Sequence, residues 1–353
     1  MKKKILVAMS GGVDSSTTAV ILKKEGHDVI GVTMQLWDYG DGDSGCCSLD
    51  DVRDARRVAD VIGIPHYVVN YMDIFKKYIV EDFISKYLSG RTPNPCVLCN
   101  QFMKFNFLLR RAMELGAEYL ATGHYAGVEE EEGRFYLSKA KDEIKDQSYF
   151  LFGLTQKELR RIMFPLGSMT KNEVREIAKE MNLRVANKPD SQEVCFITGG
   201  DYRAFLKAHT EMENKKGEIV DTDGNVLGYH EGVHSFTVGQ RRGLGIAKGK
   251  PLYVIKVEPE LNRVIVGEEK DIFRTALIAN NVIWAYEPSS SKTQIKAKIR
   301  YRHRESDAVV HPESDGEALV EFKTPQRAMT PGQAVVFYKE DRVLGGGWIR
   351  EVL

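Results

Sequence analysis

Two groups of residues in this 353-residue chain could do chemistry together. The first is Ala8, Met9, Ser10, Gly11, Gly12, Val13, Asp14 and Ser15, reading AMSGGVDS. Gly11 and Gly12 lack a Cβ, so backbone N–H groups can close around an anion. Ser10 and Ser15 add hydroxyl donors, and the start of the following helix adds a partial positive charge. Asp14 suits a bare phosphate poorly and is expected to meet Mg²⁺ or to orient the loop. The Walker pattern GxxxxGK[ST] is absent, so this is another kind of phosphate loop. The second group is Cys96, Cys99 and Cys195, in TPNPCVLCN and DSQEVCF. With Cys46 and Cys47 they make five cysteines, an odd and sparse set that points to thiol or metal chemistry in a reducing compartment. The C-x-x-C pair follows a Pro-rich turn and is expected in a fixed, non-helical entry. A zinc site would need a fourth ligand, from Cys46, Cys47 or a histidine; sulfur chemistry would not.

The elements that must position these groups alternate between strand and helix. Ile5–Met9 is a continuous apolar run, as expected of a strand buried on both faces. A helix reaches about Glu25 and is closed by Gly26. Val29–Leu36, His66–Asn70 and Tyr119–Thr122 read as further strands. Ser48–Asp51 has capping-box spacing, and Val52, Ala55, Ala59 and Ile62 follow at helical intervals up to Gly63. Helices are expected over Phe75–Leu88 and Phe105–Leu115. This order predicts an α/β domain with a mainly parallel sheet. Ligands of such sheets bind beyond the carboxyl ends of the strands, where Ala8–Ser15, Thr33–Leu36 and 121–126 (ATGHYA) converge. There Met34 would cover an adenine, and Gly123 would let the nucleotide approach. From about Lys215 the texture becomes short strands between Gly, Asp and Asn turns, as in small β-domains and barrels.

Composition sets the outer bounds. Hydrophobic residues make up 42% and charged residues 28%, which excludes a mostly disordered chain. Fifty basic residues balance fifty acidic ones, so general nucleic-acid coating is not expected, although a local basic patch is. No export signal or membrane-length apolar run is seen, and a cytoplasmic protein with no membrane partner is expected. The basic patch is sought in residues 292–304. Lys296, Lys298, Arg300, Arg302 and Arg304 alternate with other residues, so one continuous strand would put five cations on one face, suited to tracking phosphates.

The SGGxDS loop resembles the PP-loop of ATP pyrophosphatases, which split ATP between the α- and β-phosphates and adenylate a substrate oxygen. The whole chain resembles the tRNA-uridine 2-sulfurtransferase family. The resemblance rests on SGGVDS, TPNP-x-x-x-C-N, ATGHYA, KDQSYF, DSQEVCF, HSFTVGQRRGLGI and TPGQAVVFY…GGG, in family order. It implies a PP-loop catalytic domain over 1–207, a small β-rich central domain over 208–273, and a tRNA-contacting C-terminal β-barrel over 274–353. It implies ATP-dependent 2-thiolation of the wobble uridine in the tRNA anticodon loop. Cys99 would be the catalytic cysteine and Cys195 the persulfide carrier, with a Cys99–Cys195 disulfide possible in the cycle. A sulfur-donor protein would load Cys195, and the enzyme would act as a monomer. It also implies tRNA contacts by Asn94, Pro95, Cys96, Lys145, Asp146, Gln147, Arg300, Tyr301 and Gln333, with His124 near the flipped nucleotide. Many relatives carry Asp where this chain has Cys96. The resulting set Cys96, Cys99 and Cys195 would suit a [4Fe-4S] cluster with one open iron, an alternative to the persulfide route. Cys46 and Cys47 would be accessory. The rival readings are a lysidine-type or amide-forming PP-loop enzyme, which leaves the cysteines unused, and a non-catalytic RNA-binding protein.

Overall fold

Ile5, Leu6 and Val7 are fully buried, as a central strand covered on both faces requires. They lie in the computed structural model, which describes residues 1–37, 48–190, 194–210, 215–246, 249–285 and 291–353. The chain runs β1 (Lys4–Ala8), α1 (Val13–Lys24), β2 (Asp28–Gln35), α2 (Leu49–Ile62) and β3 (His66–Asn70). Next come α3 (Met72–Phe75), a π-helical stretch Lys76–Val80, α4 (Glu81–Leu88), α5 (Pro95–Leu98), a second π-helical stretch Cys99–Leu108 and α6 (Leu109–Glu114). Then follow β4 (Tyr119–Thr122), the hairpin β5 (Gly127–Glu131) and β6 (Arg134–Ser138), α7 (Gln156–Leu159), β7 (Ile162–Met163) and α8 (Lys171–Glu180).

Strands β3, β2, β1, β4 and β7 pair in that order, all parallel. Strand order reverses beside β1, so the loops after β1 and β4 flank a switch point. Helix α2 starts on the expected box: Ser48 Oγ accepts from Asp51 N, and the Asp51 carboxylate accepts from Ser48 N. It ends on Gly63 at φ 66°. Its buried face (Ala55, Val58, Ala59, Ile62) joins Ile5, Val7, Ala19, Val20, Val174 and Ala178 in one core.

One expectation fails at the cysteines. The helix begins at Pro95, so Cys96 lies in its first turn and Cys99 opens the π-helical stretch. Proline at the first helical position costs no hydrogen bond and its φ suits the helix; the Pro-rich segment therefore starts a helix rather than holding an irregular entry.

The chain divides into two compact units. Residues 1–80, 95–200 and 341–343 form the first; 81–94, 201–340 and 344–353 form the second. The second contains α9 (Tyr202–His209) and strands β8 (Gly217–Val220), β9 (Val226–His230), β10 (Tyr253–Glu258) and β11 (Arg263–Gly267), in sheet order β10–β11–β8–β9. It also contains β12 (Phe273–Trp284), β13 (Thr293–Lys298), β14 (Ser306–Pro312), β15 (Ala318–Arg327), β16 (Ala334–Lys339) and most of β17 (Arg342–Val352). These run β12–β15–β14–β13–β16–β17, and a β12–β17 pairing closes the barrel.

The five-cation strand is not present. β13 ends at Lys298, and 299–303 form bends and a turn, with His303 N bonded to Arg300 O. Alternation holds while Ile295, Ala297 and Ile299 enter the barrel core. Beyond them the chain must reverse to pair β14 with β13, so Arg302 and Arg304 leave the face that carries Lys296.

Candidate active site

The loop after β1 turns at Gly11 (φ +72°), where a Cβ would sit 2.7 Å from Asp51 Cα. Gly12 caps α1 without a side-chain bond. The amides of the first turn of α1, Val13–Ser15, have no acceptor within the helix and are set to meet an anion. Ser15 Oγ accepts from Ser10 N at 3.0 Å and lies 3.2 Å from Ser10 Oγ, bracing the loop across its mouth. Ala8 and Met9 form the floor, Met9 being buried and held by Met9 N→Val32 O. Met34 is also buried, 7% exposed. At Gly123 the missing Cβ makes room for protein backbone, since a Cβ there would lie 2.7 Å from Asp14 C and Ser15 N.

Asp14 is surrounded by partners that sequence reasoning missed. Lys171 Nζ is 2.8 Å from both its oxygens, and Tyr125 Oη donates to Oδ1 at 2.8 Å. Lys171, 8% exposed, also meets Asp190 Oδ1 at 2.7 Å. Asp190 in turn takes Lys145 at 2.7 Å, with Arg175 at 3.8 Å. Burial alone would raise the Asp190 carboxyl, but hydrogen bonds from Lys145 and Lys171 outweigh it and hold the group below its usual range. Burial first and Asp14 second push the Tyr125 phenol up, so it stays a donor. On the other side of the loop, Lys188 Nζ donates to Gly11 O (3.1 Å), Asp51 (2.7 Å) and Asp54 (2.8 Å). Its pKa is raised because these two carboxylates outweigh burial. No spacing rule links Lys171, Lys188 or Asp190 to the loop; the usable signal was Asp14 itself, an acid in an anion site that needs a counterion.

The KDQ run packs against this site. Lys145 is the Asp190 partner. Asp146, 6% exposed, accepts from Ala140 N, Ser148 N and Ser148 Oγ. Gln147 clasps Tyr125 by Tyr125 N→Oε1 and Gln147 N→Tyr125 O. His124 is buried between the Phe105 and Phe164 rings. Its Nε2 lies 3.2 Å from Lys104 Nζ, and an ammonium can only donate. Nε2 is therefore the acceptor, and Nδ1–H donates to Thr122 Oγ1 at 2.6 Å. Burial, then Lys104, depress the imidazole well below its ordinary value, so His124 is a neutral, packed side chain.

The two thiols share a support. Phe196, beside Cys195, packs on Phe75 and Trp37 with ring centroids 5.5 and 6.0 Å away. α5, which ends one residue before Cys99, packs on Lys76–Val80. Both cysteines thus hang from the 72–80 helical stretch, half-buried, while Cys96 faces solvent. Among the described residues no group of three or more His, Cys, Asp or Glu is arranged to hold a metal ion. Cys96, Cys99 and Cys195 are not gathered into such a group. Cys46, Cys47 and the Ser191–Glu193 part of DSQEVCF lie outside the described residues.

Asn94, Arg300, Tyr301 and Gln333 belong to the second unit, and Pro95 opens the helix that carries the cysteines. Gln333 Nε2 donates to Thr92 O and Pro93 O at 3.1 and 2.9 Å, and Thr92 N donates to Pro331 O. TPGQ thus braces TPNP. Asn94 is buried, and Arg300 Nη2 donates to Arg327 O at 3.0 Å.

Residues 3–199 match the family model described as tRNA methyl transferase HUP domain. Residues 203–268 match its PRC-barrel domain, and 274–349 the aminomethyltransferase beta-barrel domain. The tRNA-specific 2-thiouridylase MnmA of Geobacter metallireducens is 53% identical over 356 residues, 99% of this chain and 97% of that one. MnmA 1 of Thermoanaerobacter pseudethanolicus is 52% identical over 359 residues, 99% of each. The U34-tRNA thiolase NcsA of Methanococcus maripaludis, solved with its [4Fe-4S] cluster, is 19% identical, covers 60% of this chain and 66% of that one, and has a TM-score of 0.38.

Proposed function

This chain belongs to the tRNA-specific 2-thiouridylase family, and from that premise we propose a division of labour between the phosphate loop and the two thiols. The enzyme uses ATP to replace the C2 oxygen of a tRNA uridine with sulfur, and we assign that uridine to the wobble position of the anticodon loop. The observation that carries the reading is the phosphate loop at the β1–β4 switch point, with Asp14 already matched to a cation.

The chemical need is clear. A uridine C2 carbonyl is a weak electrophile, and its oxygen is a very poor leaving group. The loop amides and the start of α1 hold ATP so that the C2 oxygen can attack the α-phosphorus. The bond to the β-phosphate breaks, and pyrophosphate leaves with its electron pair. Magnesium would be held through an oxygen of Asp14 and would neutralise phosphate charge. The C2 oxygen is now part of an AMP leaving group. Cys195, loaded as a persulfide by a donor protein, meets the Cys99 thiolate. Cys99 attacks the inner sulfur, releasing hydrosulfide and forming the Cys99–Cys195 disulfide. Hydrosulfide attacks C2 and AMP departs; an external thiol must then reduce the disulfide.

We divide the chain at 1–207, 208–273 and 274–353, a reading supported by the breaks between the matched family models. tRNA contacts are proposed for Asn94, Pro95, Cys96, Lys145, Asp146, Gln147, Arg300, Tyr301 and Gln333, with His124 near the flipped nucleotide, for an enzyme acting as a monomer in the cytoplasm. The test is tRNA thiolation with AMP release. Cys99→Ser and Cys195→Ser should each abolish 2-thiouridine. Thiolation that survives Cys99→Ser would refute the thiol mechanism.

A further inference from the structure

Lys171 is the first residue of α8 and, among the described residues, one of few charged side chains less than a tenth exposed. A lysine is rarely so buried unless it is paired. Here it is paired twice, with Asp14 in the phosphate loop and with Asp190. Its backbone is fixed, since Thr170 caps α8 and Lys171 N donates to Asp142 Oδ2 at 2.9 Å. Its side chain is not: a four-carbon stem lets an ammonium swing by several ångström.

The two partners differ in what happens if Lys171 leaves. Asp190 keeps Lys145 at 2.7 Å and Arg175 at 3.8 Å, so it is not stranded. Among the described residues Asp14 keeps only the neutral Tyr125 hydroxyl as a side-chain partner. A triphosphate entering the loop brings more negative charge beside that carboxylate, and the nearest cation is Lys171, 2.8 Å from both Asp14 oxygens.

Resting on the phosphate-loop reading above, we infer that Lys171 is a substrate-binding residue of the adenylation step. Its ammonium keeps Asp14, lets go of Asp190, which retains Lys145, for the β- and γ-phosphates of ATP, and stays with pyrophosphate as that group leaves. No electrons change hands. The α-phosphorus gains the uridine C2 oxygen and loses the bridging oxygen, whose electron pair departs on pyrophosphate beside the ammonium, which lowers the cost of that charge.

The test is equilibrium binding of ATP, pyrophosphate and AMP to the full-length protein without tRNA. AMP is the control, since it fills the nucleotide site without the outer phosphates. Lys171→Met should weaken ATP and pyrophosphate by roughly 10- to 100-fold, the size of a lost charge-assisted contact, and leave AMP within about twofold. Equal losses for all three ligands would mark a merely structural lysine, and unchanged ATP and pyrophosphate binding would remove the role altogether. If Lys171→Met does not fold, a crystal of the wild-type protein with pyrophosphate decides. Lys171 Nζ within hydrogen-bond distance of a phosphate oxygen supports the inference; Nζ still on Asp190, apart from the phosphate, overturns it. Wild-type protein that binds neither ATP nor pyrophosphate would unseat the phosphate-loop reading itself, whereas wild-type binding with an indifferent Lys171→Met unseats only this residue's part.

Discussion

Gly123→Ala is the sharpest probe of how the phosphate loop is built. The new methyl would lie 2.7 Å from Asp14 C and Ser15 N and 3.0 Å from Ser15 Cα, against an ordinary contact of 3.4–4 Å. Every obstructing atom is backbone, so no side chain can swing aside. The end of β4 and the start of α1 must part by about 0.7 Å at the tightest contact. Overpacking of this kind costs about 1–3 kcal/mol. For a folded unit of this size that lowers Tm by roughly 2–4 °C per kcal/mol. The functional cost is expected to be larger, because the displaced atoms include amides of the anion site. Misplacement approaching 1 Å in such sites costs up to about 100-fold. We therefore expect ATP affinity to fall about tenfold or more, with tRNA affinity nearly unchanged. Isothermal titration with ATP, a tRNA filter-binding curve and a thermal melt on the same preparation measure the three effects. Wild-type ATP affinity with an unmoved Tm would mean that strand end and helix start separate freely, and that Gly123 is not needed for packing.

Three further outcomes are expected. Lys188→Met strips Asp51, Asp54 and Gly11 O of a shared cation; urea unfolding should show a loss of roughly 1–2 kcal/mol after allowing for partial exposure, and undiminished stability would contradict it. His66, His124, His230, His234 and His303 all have lowered pKa values, chiefly through burial. Unfolded imidazoles take up protons near pH 6.5 that the folded ones refuse, so stability is full above that pH and falls as pH drops towards the folded values, by up to about 1.4 kcal/mol per unit per suppressed histidine. Melts from pH 7.5 to 5.0 should show the decline, less steep in His124→Asn; a flat or rising profile argues against it. For the barrel, Arg300→Glu should weaken tRNA binding about tenfold and flatten its salt dependence by about one charge, whereas unchanged binding would leave Arg300 as a turn anchor only.

The parallel sheet was legible because its signals are local. Ile5–Val7 is an unbroken apolar run, Ser48 and Asp51 sit three apart, and glycines close α1 and α2. The charge network was not, because its members meet only in three dimensions: Asp14 and Lys171 are 157 positions apart, and Lys171 in sequence is an ordinary first residue after a threonine cap. The burial of Asp146 and His124 was not legible either. A polar residue in a loop looks the same whether it faces solvent or folds back onto backbone amides. The break in the stripe at 292–304 has a similar cause: alternation reports a strand only where a neighbouring strand continues to pair, and β14 turns away after Ala297.

The hairpin β5–β6 sets an order on synthesis. Its partners come from some two hundred residues further along the chain: Lys139 N donates to Asp341 O, and Arg342 binds Glu129 and Glu131 while its guanidinium lies over the Tyr136 ring. A nascent polypeptide emerging from the ribosome must wait some two hundred codons before those contacts can form. Chains halted or clipped upstream of residue 341 would leave this ribbon unsupported, a vectorial check that ties the ATP-handling unit to synthesis of that distant segment.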